Sequence, residues 1–178
     1  MKSYLDASQS VARTEYDDFN ERQKIAYLVN LHNALLLESI VKNGNASGTR
    51  SFNDADRVRL FSDDITYLKF RLYLERKIAD PRAMLALFCF EPKCPTPHGA
   101  ALTEKDLVDT LAEISDQFMN DRTKNFYDNK KNEIVLSPVL EKYESLISRR
   151  YGGVRDFYFR TTRQHHLRTK NPKISFRD

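Results

Sequence analysis

Between Glu21 and Asn43 the chain sets apolar residues around almost the whole circumference of a helix, and this stretch limits the folds open to it. Ile25, Leu28, Val29, Leu36 and Ile40, with His32 among them, follow helical spacing. Leu31, Leu35 and Leu37 widen the stripe beyond one face. A helix apolar on nearly every side belongs in the middle of a fold, with other elements packed around it. Asn20 stands at the N-cap position, Lys42 in the last turn and Gly44 just past the end. Residues 43–53, rich in Gly, Asn and Ser, read as loop.

The remaining sequence is punctuated by further element signals. Ser62 is placed to cap a helix from Asp63 to Lys77, with Asp63 and Asp64 at the positive end of its dipole and Asp80-Pro81 to stop it. Met84 to Cys89 is a short unbroken apolar run, which predicts a buried strand. Thr103 opens a helix, with Asp106 at capping-box spacing and Leu102 and Leu107 as a staple. Its apolar face is Leu107, Leu111, Ile114 and Phe118. Residues 125–128 and 133–136 flank Asn129-Lys130-Lys131-Asn132 and predict a hairpin. Ser137 and Pro138 start a helix that ends near Arg150, before Gly152-Gly153. Lys173 to Phe176 is a candidate closing strand. The expected fold is α+β and predominantly helical: a central buried helix with a small sheet that includes a short hairpin.

At 178 residues, with 40% hydrophobic and 30% charged residues, the chain is expected to form one domain over 1–178 with a core of its own. Its longest aliphatic run, Ala34 to Leu37, ends at Glu38 and is too short to span a bilayer. The first residues lack the apolar stretch of a signal peptide, so a cytoplasmic location is expected. The net charge is +4, yet Arg155 to Asp178 alone holds seven Lys/Arg against two Asp. Residues 155–178 are therefore a basic C-terminal segment on a nearly neutral body.

Two stretches carry a resemblance. Ala26-Tyr27-Leu28-Val29-Asn30-Leu31-His32-Asn33-Ala34-Leu35 is similar to the Ala-Phe-Trp-Ile-Asn-Leu-Tyr-Asn-Ala-Leu helix of the domain-of-unknown-function 547 family. Asp80-Pro81-Arg82, Ala86-Leu87, Cys89, Cys94 and Pro95 resemble that family's Asp-Pro-Arg-Ile-His-Phe-Ala-Leu-x-Cys segment and the Ser-Cys-Pro after it. A looser third match runs through Phe118-Met119-Asn120, the hairpin, Ser137 and Tyr143. The resemblance implies a shared fold over roughly Phe19 to Phe176. It also implies a structural motif made of Asn30, Asn33, Asp80, Pro81, Arg82, Cys94 and Pro95. The family's Asp-Ile-Glu-His segment is Asp64-Ile65-Thr66-Tyr67 here, and the His after Asp-Pro-Arg-Ile is Met84. Two family histidines are thus replaced.

Several residue groups are candidates for chemistry. Cys89 precedes the Pro92 to His98 loop, where Lys93 and His98 favour a thiolate. With His32 or His98 as base and Asn30 or Asn33 as orienter, Cys89 would serve a thiol-dependent hydrolase or transferase. The same thiol also reads as a small buried hydrophobe. Four residues separate Cys89 from Cys94, which permits a disulfide ring and a redox role. Asn30, His32 and Asn33 lie on a buried helix, so their polar groups need partners and read first as structural. Arg160, Arg163, His165, His166, Arg168 and Lys170 form a basic patch suited to phosphate, nucleic acid or an anionic membrane surface. Adjacent histidines in a helix diverge, so no metal site is expected there. No cofactor is expected, since no Gly-rich phosphate loop, nucleophile elbow or paired-His metalloprotease motif occurs. The reading these features favour is an interaction or scaffold module, with a protein or anionic partner at its basic end. The thiol enzyme and the redox protein are the alternatives.

Overall fold

A computed structural model describes residues 2–43, 56–89 and 92–177. Among these residues lie nine α-helices, one 3-10 helix and five strands, the predominantly helical α+β fold expected. They divide into two compact units. The first takes in Met1–Ala79 and His98–Val108, and the second Asp80–Pro97 and Asp109–Asp178.

The first unit is built on α3 (Glu21–Asn43), preceded by α1 (Lys2–Ser10) and α2 (Arg13–Asp18). Asn20 and Gln23 form a reciprocal capping box. The Asn20 side chain accepts from the Gln23 amide at 3.0 Å, and the Gln23 side chain accepts from the Asn20 amide at 2.9 Å. Leu28, Val29, Leu31, Leu35 and Leu36 are buried. Leu37, expected to widen the buried stripe, instead faces solvent with Val41, so α3 is apolar all round only in its middle. The loop expected at 43–53 lies outside the described residues, apart from Asn43 at the end of α3.

The helix expected from Asp63 starts four residues later. Arg57–Leu60 (β1) and Asp63–Thr66 (β2) form an antiparallel hairpin with Leu60 opposite Asp63, and α4 is Tyr67–Lys77. Its cap is Thr66, whose hydroxyl accepts from the Lys69 amide, and not Ser62. Phe61 and Ser62 form the two-residue turn, both left-handed with φ 54° and 70°. Such turns usually carry Asn-Gly, so Phe-Ser gives no local signal. Burial of the Phe61 ring against Tyr16, with centroids 4.7 Å apart, holds Phe61 in that conformation.

The second unit opens with a correction to the expected strand at Met84–Cys89. Pro81–Leu85 is a short helix, α5, and no residue from Met84 to Cys89 is in a strand. Asp80 caps α5 by accepting from the Arg82 amide at 2.9 Å, with Pro81 in the first turn where no donor is missed. The cap fixes helical geometry that the apolar run by itself does not specify. The α-helix expected from Thr103 begins later, as α6 (Leu107–Asn120), whose first two residues belong with Thr103 to the first unit and the rest to the second. The Thr103 hydroxyl bonds the Asp106 carboxylate, and residues 104–106 form a turn ahead of the helix. Leu107, Leu111, Ile114 and Phe118 are all buried, as their spacing requires.

Strands β3 (Phe126–Asp128) and β4 (Glu133–Leu136) form the expected hairpin, and β5 (Lys173–Phe176) joins β4 in parallel. Between β4 and β5 run α7 (Pro138–Lys142), α8 (Glu144–Tyr151), α9 (Val154–Thr162) and the 3-10 helix His165–Lys170. The single helix expected from Ser137 to Arg150 is divided at Tyr143, which leaves helical geometry (ψ 13°) and buries its ring. Gly152 then takes φ 85° to end α8, a conformation open to glycine at little cost.

The turn after α6 is fastened by Asp121. Its carboxylate accepts from the Thr123 hydroxyl at 2.6 Å, the Thr123 amide at 3.0 Å and Lys124 Nζ at 2.9 Å. The Thr123 and Lys124 bonds hold this carboxyl down at about 2. Folding thus lowers the pKa, so these bonds stabilise the second unit in full above the ordinary aspartate range and are lost as pH falls through about 2. Asp121→Asn should therefore flatten the acid limb of stability between about pH 4 and 2, read by urea unfolding across that window. Parallel acid limbs for the native chain and the variant would remove Asp121 from the acid response.

Candidate functional site

Cys89 and Cys94 are joined in a disulfide, with Cα atoms 5.8 Å apart. The loop it closes is fastened on both sides within the second unit. The Lys93 carbonyl accepts from Ser137 Oγ at 2.7 Å, and Lys93 Nζ donates to the Thr123 carbonyl at 2.9 Å. Ser137 is fully buried and also caps α7 by accepting from the Val139 amide. Its own amide donates to Asn125 Oδ1 at 3.0 Å, while Asn125 Nδ2 donates to the Phe118 carbonyl at 2.7 Å. One chain of bonds thus runs from the disulfide loop through the start of α7 to the end of α6. Cys94 and Pro95 are buried and Cys89 is partly exposed. A nucleophilic thiolate exists at Cys89 only after this bond is reduced.

The other proposed catalytic groups belong to the first unit, as do both His32 and His98. His32 is buried, and both ring nitrogens are engaged: Nδ1 lies 3.0 Å from Asn33 Oδ1 and Nε2 lies 2.8 Å from the Tyr67 hydroxyl. Asn30 holds the Leu102 backbone from both sides. Its Nδ2 donates to the Leu102 carbonyl and its Oδ1 accepts from the Leu102 amide, each at 2.8 Å. His98 is half-buried. In the second unit, Arg82 forks onto the Asp80 carboxylate, with Nη2 to Oδ2 at 2.7 Å and Nε to Oδ1 at 3.1 Å. That hydrogen-bonded pairing raises the Arg82 pKa and locks the α5 cap.

The basic segment is unevenly engaged. Arg168 pairs with Asp156 at 2.8 Å and lies over the Phe159 ring, and Lys170 donates to Asn129 at 3.2 Å and lies over Tyr127. Arg160, Arg163, His165 and His166 are exposed and make no ion pair among the described residues. Tyr158 and Phe159, aromatic neighbours in the sequence, are buried and not displayed beside these cations.

A cleft of about 480 Å³ opens in the second unit between the end of α6, β3 and the end of α9. Met119, Arg122, Phe126, Tyr158 and Gln164 are among its walls. Burial pushes the Tyr158 phenol up, while its bond to Gln164 and the Arg122 charge pull it the other way. No sequence signal marks this cleft, because its residues are scattered from 119 to 164 and share no spacing. A cleft of about 580 Å³ in the first unit is charge-compensated: Lys42 pairs with Glu38, Arg59 with Asp64, and Arg57 donates to the Asp64 carbonyl.

Among the described residues no group of three or more His, Cys, Asp or Glu is set to hold a metal, and no helix is long and apolar enough to cross a membrane. Comparison with protein-family models, with curated proteins and with solved structures finds no match.

Proposed function

We propose that the chain is an interaction module whose basic C-terminal segment binds an anionic partner through Arg160 and Arg163. One observation carries this reading: these two guanidiniums are exposed and make no ion pair among the described residues, whereas Arg168 and Lys170 already have local partners. His165 and His166 follow them in the sequence and are exposed as well. The resemblance to the domain-of-unknown-function 547 family, where it holds, implies a fold and no activity to set against this.

Fluorescence polarisation with a labelled RNA oligonucleotide, and sedimentation with phosphatidylserine vesicles, test it. The native chain is expected to bind one of them in a salt-sensitive way. For the oligonucleotide, the joint change Arg160→Ala and Arg163→Ala should lower the salt slope by about 2. Arg168→Ala should act less, since that charge already faces Asp156. Equal binding by the double variant at low salt would reject the assignment.

The closed disulfide favours a second reading, a thiol redox role for Cys89 and Cys94. A thiol-dependent hydrolase or transferase built on Cys89 would need that bond opened first.

A further inference from the structure

We propose that the cleft between α6, β3 and α9 is a binding site for a small aryl carboxylate, a flat ring bearing one anionic group. Four observations carry this, and none involves Arg160 or Arg163, which do not line the cleft.

The first is charge. Arg122 is exposed and makes no ion pair or hydrogen bond among the described residues, and no Asp or Glu lines the cleft. A guanidinium presents a planar fork that matches a carboxylate in two parallel hydrogen bonds. The second is the apolar wall. Met119 and Tyr158 are almost fully buried, yet Phe126 is 38% exposed, one of few large apolar side chains left in water. Phe126 stands at the start of β3, opposite Val135, where strand pairing fixes its backbone. A flat ring laid against it removes apolar surface from water at both partners. The third is polarity. Gln164 and the Tyr158 hydroxyl give the wall a polar edge, while the Asn125 amide is already bonded to Phe118 and Ser137. The fourth is size, since about 480 Å³ falls in the range of small-molecule sites and far above a single ion. The first unit's cleft lacks the first feature, its cations being bonded to Glu38 and Asp64.

Naphthoate and its neutral isostere naphthamide, titrated calorimetrically into the full chain, test the proposal. The native chain should bind the acid about tenfold more tightly than the amide, the discrimination expected of a charge-assisted bond. Arg122→Gln, a change at an exposed side chain, should bring that ratio to about 1 and leave the amide's affinity alone. Phe126→Ser should weaken both probes, with far-UV circular dichroism as the check on folding. Backbone amide shifts should centre on residues 119–127 and 158–164. The proposal is overturned by absence of naphthoate binding at millimolar concentration, or by an acid-to-amide ratio unchanged in Arg122→Gln. It is equally overturned if naphthoate binding falls in the Arg160→Ala, Arg163→Ala chain and stays intact in Arg122→Gln. Binding of inorganic phosphate as tight as that of naphthoate would remove the ring from the assignment and overturn it too.

Discussion

Asn125→Ala should lower the stability of the chain by about 3 kcal/mol, the largest effect expected of any single polar side chain here. Asn125 is 2% exposed and its amide works in both directions, donating to the Phe118 carbonyl and accepting from the Ser137 amide. Alanine removes both bonds and orphans the Ser137 amide where water has little access, whereas the Phe118 carbonyl keeps the Asp121 amide at 3.3 Å. An orphaned group costs on the order of 1–3 kcal/mol, and the lost bond to Phe118 adds about 1 kcal/mol. Urea unfolding measures the loss. Asn129→Ala is the control: its side chain accepts from Lys170 in an exposed setting, and the change should stay within about 0.5 kcal/mol. A similarly small effect for Asn125→Ala would mean that the end of α6 and the start of α7 are held by packing alone.

Reducing the Cys89–Cys94 bond should cost about 2 kcal/mol by the loop-entropy relation for so short a ring. The cost should appear in unfolding experiments with and without a thiol reductant, and Cys94→Ala should behave like the reduced chain and not respond to reductant. The bond between Ser137 Oγ and the Lys93 carbonyl should loosen with it, so amide exchange should quicken at Lys93, Cys94, Thr96 and Val139. Identical midpoints in both conditions would show that the ring does not constrain the unfolded chain. A glutathione titration of the same bond separates a staple from a redox couple. A potential below about −300 mV marks a structural bond, and a higher one supports the redox reading.

Where the sequence agreed with the fold, local and long-range signals coincided. Helix α3 was legible because Asn20, the apolar stripe and Lys42 all mark the same bounds. The β3–β4 hairpin was legible because polar residues at 129–132 separate two short strands. The misread elements are those in which tertiary packing decided. Asp63 and Asp64 resemble a helix start, but Val58 and Leu60 bury on alternate positions and draw the segment into a strand pair. A Phe-Ser turn gave no warning of it. Met84 to Cys89 is apolar enough for a strand, yet the Asp80 cap and Arg82 fork set a helix instead.

The site was less legible than the fold. The sequence showed a run of cations but not which were already bonded, because Asp156 and Asn129 reach Arg168 and Lys170 only in three dimensions. Arg122 was overlooked for the converse reason, since nothing near it in sequence shows that it overlooks a cleft. Tyr67 read as a histidine lost from a family position. The fold sets its hydroxyl 2.8 Å from His32 Nε2. A buried imidazole–phenol pair between two elements is therefore present, which the spacing within neither element reveals.

The order in which the units use the chain has a consequence for its biogenesis. The polypeptide passes from one unit to the other after Ala79, after Pro97 and after Val108. During synthesis, α3 emerges long before Leu102, the residue whose backbone Asn30 grips. Strand β4 likewise waits for Lys173–Phe176. Both cysteines therefore leave the ribosome before either unit can close. The disulfide is open to formation, and to interception by other thiols, on a nascent chain whose two folding units are both still unfinished.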